Sequence, residues 1–75
     1  MSNFYEIPSE QTRMETVSTT QYVGKAASGV GISEPRWTIM QIVTDASSVP
    51  VSVKYAGGND TRNKAWTDRT TLTYL

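Results

Sequence analysis

The residues able to do chemistry in this 75-residue chain are seven carboxylates and seven Lys or Arg side chains, with neither His nor Cys. That excludes a zinc finger, a disulfide scaffold, a Cys nucleophile and a Ser-His-Asp triad. A carboxylate pair could work as acid and base. Asp45, Asp60 and Asp68 are the only aspartates. Asp45 and Asp60 fall in predicted turns, where Asp accepts backbone hydrogen bonds. Gly57-Gly58-Asn59-Asp60 could cradle a phosphate or calcium. It lacks the Lys-Ser/Thr ending of a phosphate loop and the spaced aspartates of an EF-hand, so a hairpin turn is the simpler reading. Arg62, Lys64 and Arg69 near Trp66 have the make-up of a nucleic-acid patch. Asp60 and Asp68 cancel much of that charge. The chain is formally neutral, whereas a general nucleic-acid binder needs a basic face. Trp37 and Trp66 could stack on a sugar, but two tryptophans serve more simply as anchors of a core or an interface. The planar fork of Arg69 suits an inter-strand or inter-subunit salt bridge. These residues predict no enzyme, cofactor or metal site.

The elements that position these residues read as strands. Thr19 to Ala26 has Thr19, Gln21 and Val23 on one face, and Gly24 marks a bulge or a close backbone approach. Ala27 to Pro35 is a loop, with Gly29, Gly31 and Pro35. Arg36 to Thr44 is apolar on both faces, which predicts a strand covered on both sides or central in a rolled sheet. Asp45 to Ser48 is a turn. Val49 to Ala56 then alternates, with Val49, Val51, Val53 and Tyr55 predicted inward. Asp68 to Leu75 alternates Thr70, Leu72 and Tyr74, predicting a last strand. The expected fold is all-β: a small antiparallel meander or partly rolled barrel over residues 14–75, with residues 1–13 as an extended N-terminal arm. Trp37, Ile39, Val51, Val53, Trp66, Leu72 and Tyr22 are the expected core. In the arm, Phe4, Tyr5 and Ile7 could lie on a neighbouring subunit or fold back on their own domain.

Size argues for assembly. A chain this short buries only about 60% of its unfolded surface. Its apolar fraction of 37% falls below the roughly 45–50% usual for globular domains, a figure that also counts Gly. Small domains commonly add a disulfide, a metal or a partner; without Cys or His, a partner is the expected supplement. There is no run of apolar residues long enough for a membrane helix. Met1 to Glu10 lacks the basic and apolar regions of a secretory signal, so synthesis in a cytoplasm is expected. Asn59-Asp60-Thr61 matches a glycosylation sequon, which carries little meaning in that setting.

Three stretches in chain order carry a resemblance: Gln21-Tyr22-Val23-Gly24-Lys25-Ala26, Trp37-Thr38-Ile39-Met40-Gln41-Ile42, and Trp66-Thr67-Asp68-Arg69-Thr70-Thr71-Leu72-Thr73-Tyr74. Together they resemble a class of small tailed-bacteriophage virion proteins, over about residues 21 to 74. Residues 1 to 20 lie outside the pattern. The polar Asn59-Asp60-Thr61-Arg62 replaces an aromatic position of that class. The resemblance implies a structural part of a virion, with the major capsid protein or tail proteins as partners, in a homo-oligomer or multi-copy assembly. The implied role is capsid decoration or cement, or alternatively a tail or head–tail connector adaptor that anchors fibres. A free sugar- or nucleic-acid-binding module is the alternative from another class. Phe4, Tyr5, Ile7, Trp37, Trp66 and Arg69 are the expected interface residues, although Trp37 and Trp66 could equally be buried within the subunit.

Overall fold

A computed structural model describes residues 9–75. Four strands follow one another as an antiparallel meander: β1 (Glu10–Val17), β2 (Thr20–Ala27), β3 (Thr38–Thr44) and β4 (Pro50–Tyr55). The spatial order is β1-β2-β3-β4. The two outer strands do not pair with each other, so the sheet is open rather than a closed barrel.

The connections follow from local chemistry. Val17 pairs with Thr20 across a two-residue turn, in which Ser18 takes a positive φ of 56°. Between β3 and β4 the Asp45 carboxylate accepts the Ser47 and Val49 N–H groups at 2.8 and 3.0 Å. This is the turn role expected of it. Pro50 begins the outermost strand beside a register shift at Val43/Thr44, a position where its missing N–H costs no ladder bond.

The register assigns side chains to faces. Gln11–Ala26, Glu15–Tyr22 and Gly24–Ile39 are paired positions, so they share one side of the pleat. Over that side the chain lays its own loop and C-terminal segment. The core is Tyr22, Ala26, Val30, Trp37, Ile39, Ala56 and Trp66, with Ala27, Leu72 and Tyr74 packed against it. Gly24 is a close approach and not a bulge. A Cβ there would lie 2.5 Å from Trp66 Cε3 and 3.1 Å from Trp37 Cε3.

Several expectations are corrected. Residues 10–13, assigned from the sequence to the arm, form the first half of β1. Their polar pattern hides the strand, because β1 is held by its ladder and by side-chain bonds rather than by apolar burial. Gln11 Nε2, for example, donates to the carbonyls of Ala27 and Val30. Asp68 to Leu75 is not a strand. Trp66–Asp68 is a turn of 3₁₀-helix, the Thr71 N–H donates to the Asp68 carbonyl, and only Tyr74 bridges back, to Ala56. Trp37 lies just before β3 and pairs alone with Lys64. Val51 and Val53 are not core: they are 63% and 57% exposed. The covering segment lies over the opposite face of the sheet; on theirs, the described residues make contact only at one end, where Arg62 pairs with Glu10 and Thr38 donates to the Asp60 carbonyl.

Candidate functional site

Of the six expected interface residues, Phe4, Tyr5 and Ile7 lie outside the described residues. Trp37 and Trp66 are 0% and 4% exposed, so the alternative of burial within the subunit is the one the fold adopts. Their rings sit 6.0 Å apart at 41°, and Trp37 Nε1 donates to the Gly31 carbonyl at 2.9 Å.

Arg69 is engaged within the chain. Its Nε and Nη2 donate to the two carboxylate oxygens of Glu15 in β1, each at 2.8 Å. Nη1 donates to the Trp66 carbonyl at 3.1 Å, and the guanidinium stands 4.9 Å from the Trp66 ring centroid. The bidentate geometry is the strong form of such a pair. It ties the edge strand β1 to the C-terminal cover within the chain; since Arg69 follows the 3₁₀ turn and lies in no strand, this is neither the inter-strand nor the inter-subunit bridge expected from the sequence. The Arg69 hydrogen bonds hold the Glu15 carboxyl below its usual range against a smaller opposing effect of burial. Tyr74 donates its hydroxyl to the Arg69 carbonyl at 2.6 Å. Burial, helped by the neighbouring Tyr22, pushes the Tyr74 phenol up to about 12, with Arg69 opposing.

The cations proposed for nucleic acid do not form a free patch. Arg62 pairs with Glu10, Arg69 with Glu15, and Lys64 donates to Asn63. The Asn59 carboxamide oxygen accepts the Thr61 N–H at 3.0 Å. Gly57 and Gly58 have φ of 73° and 80°, so Gly57 to Asp60 is a turn. No group of three carboxylates is placed to hold a metal ion among the described residues.

The feature missed by the sequence reading is the second face of the sheet. Met14 pairs with Val23, Val23 with Met40, and Met40 with Tyr55. These four side chains therefore form one row across all four strands. In the next row Ile42 pairs with Val53, and Val51 follows. Met14 is 62% and Tyr55 38% exposed; Val23, Met40 and Ile42 are half-buried. A shallow groove of about 70 Å³ runs among Val23, Lys25, Thr38, Met40 and Tyr55. It adjoins a polar cleft of about 280 Å³ lined by Glu10, Lys25, Thr38, Tyr55, Asp60 and Arg62, in which Thr38 Oγ1 donates to the Asp60 carbonyl. Two acidic and two basic side chains balance there. The cleft is suited to polar contact at the rim of an apolar surface, not to binding an ion of one sign. The signal was present in the sequence: residues 36–44 are apolar on both faces, and the odd residues of 49–55 continue one of those faces. Only the register reveals that they join.

Comparison with models of protein families, with curated proteins and with solved structures finds no match to this chain.

Proposed function

We propose that the chain is a non-enzymatic structural protein of a tailed-bacteriophage virion, a decoration or cement subunit that stabilises the head by bridging subunits of the major capsid protein. The observation that carries this reading is the uncovered apolar sheet face. Exposed apolar patches of this kind mark protein contact sites, and a sheet with one side bare lacks the second layer by which domains ordinarily close a core. The resemblance adds the virion. Its motif residues supply Tyr22, Gly24, Ala26, Trp37, Ile39 and Trp66, with Leu72 and Tyr74 packed alongside. A pattern carried by the packing of the fold suits a building block better than a catalyst. Many copies docked on a shell stabilise one another even where a single contact is weak.

The test is the copy number in purified particles, by quantitative mass spectrometry. A cement subunit is present in hundreds of copies. Tens or fewer would place the chain among tail or connector adaptors, and absence from particles would overturn the virion reading.

A further inference from the structure

The apolar face also indicates what kind of surface fits it. We infer that two copies of this chain pack sheet against sheet through the row Met14–Val23–Met40–Tyr55 and the adjoining Ile42–Val53 pair.

Shape favours this occupant. A pleated face with alternating apolar side chains is complementary to another such face about 10 Å away, and the chain carries one that its own described residues leave open except at the end held by Asp60 and Arg62. Area favours it as well. Standard interfaces bury about 800 Å² per partner over 20–30 residues, or roughly 30–40 Å² per residue. With Ala27 packed against the core, the register places 14 side chains on this face, from Glu10 on β1 to Tyr55 on β4. That gives about 500 Å² per copy and about 1,000 Å² in all, the size at which a specific interface becomes plausible on area.

Charge is compatible with self-pairing. The middle of the face carries no charged group. Glu10, Lys25, Asp60 and Arg62, two of each sign, lie at one end, and Thr16 and Thr44 at the other. A two-fold axis lying across the strands sets the Lys25 end of one copy over the Thr44 end of the other. Asp45, in the turn adjoining that end, then faces an end whose two acidic and two basic groups balance.

This inference takes the same face on which the virion reading rests and makes a second copy its occupant, so that the docking unit is a pair; failure of one is told from failure of the other because pairing is measured in solution and copy number in particles. The experiment is sedimentation equilibrium of the full chain from about 1 to about 300 µM, spanning the micromolar range. It is repeated on Met14→Glu and Val53→Glu, both at exposed positions, and on Ile32→Glu, exposed in the loop over the other side of the sheet. Fluorescence of the buried Trp37 and Trp66 reports whether each variant is folded. The expected result is a monomer–dimer equilibrium for the full chain and for Ile32→Glu. Met14→Glu and Val53→Glu should weaken it at least tenfold with unchanged Trp emission. A full chain that stays monomeric throughout would overturn the inference and leave the face to residues 1–8 or to a different protein. A dimer that survives both face variants would overturn it equally, by placing the contact elsewhere.

Discussion

At Gly24 a hydrogen atom stands where any other residue would put a Cβ 2.5 Å from one atom of Trp66 and 2.6 Å from another. Both belong to a ring fixed in the core, so the clash cannot relax as it would against the end of a flexible chain. Gly24→Ala should destabilise the fold by about 1–3 kcal/mol, the usual range for overpacking, read as a lowered urea midpoint. The Arg69–Glu15 pair contributes to stability on the acid side. Because the folded carboxyl titrates lower than the unfolded one, its contribution is whole above about pH 4.3 and is lost as pH falls through the folded value. Glu15→Gln should lower the melting temperature at neutral pH and make it less sensitive to acid; an unchanged acid limb would remove the pair from that role. Tyr74 acts at the other extreme. Its phenol is raised to about 12 in the fold against about 10 when unfolded. Stability is therefore whole below pH 10 and declines as pH rises from about 10 towards 12, where the unfolded chain ionises first. Tyr74→Phe should flatten that alkaline decline in a pH series of thermal melts.

At the scale of elements, β3 and β4 carry similar apolar residues with different consequences. Ile39 is 1% exposed and Val53 57%, although both lie on strands of strong alternation. Ile39→Ala should cost about 2–5 kcal/mol. Val51→Thr and Val53→Thr, measured at concentrations low enough to keep copies apart, should stay within about 0.5 kcal/mol of the parent. Equal losses at Ile39 and Val53 would mean that the second face is covered within a single chain. The strand β1 makes the complementary point. It has almost no apolar residue to bury, and it is placed by pairing with β2 along its full length and by the anchors Gln11 and Glu15. A strand held by bonds to its neighbours leaves little trace in a hydrophobic pattern, and for that reason residues 10–13 read as part of an arm.

For the whole molecule, the governing quantity is how little of it is interior. Trp37 and Ile39 are the large side chains that are fully buried among the described residues. The C-terminal segment covers one face of the sheet without forming a strand of its own. A fold with so small a core has little stability in reserve. If copies pair through the open face, the melting temperature should rise with protein concentration, as mass action requires of any association selective for the folded state. A melting temperature independent of concentration over the same range as the sedimentation series would count against pairing.

The sequence by itself determined the all-β class, the hairpin, read at 36–44 and 49–56 and found at 38–44 and 50–55, the turn at Asp45 and the membership of Tyr22, Trp37, Ile39 and Trp66 in the core, with Leu72 against it. Period-two alternation, turn chemistry and large aromatic groups act locally or report burial directly. The tertiary structure alone decided which face of the sheet is covered. Alternation states that Val51, Val53 and Tyr55 share a side, but it does not state which side the C-terminal segment crosses. That choice rests on Gly24, whose missing side chain lets Trp66 lie against β2, and on Arg69 reaching Glu15 across 54 positions of sequence. Contacts between residues so far apart leave no periodic signal, so the open apolar face emerges only once the chain has folded.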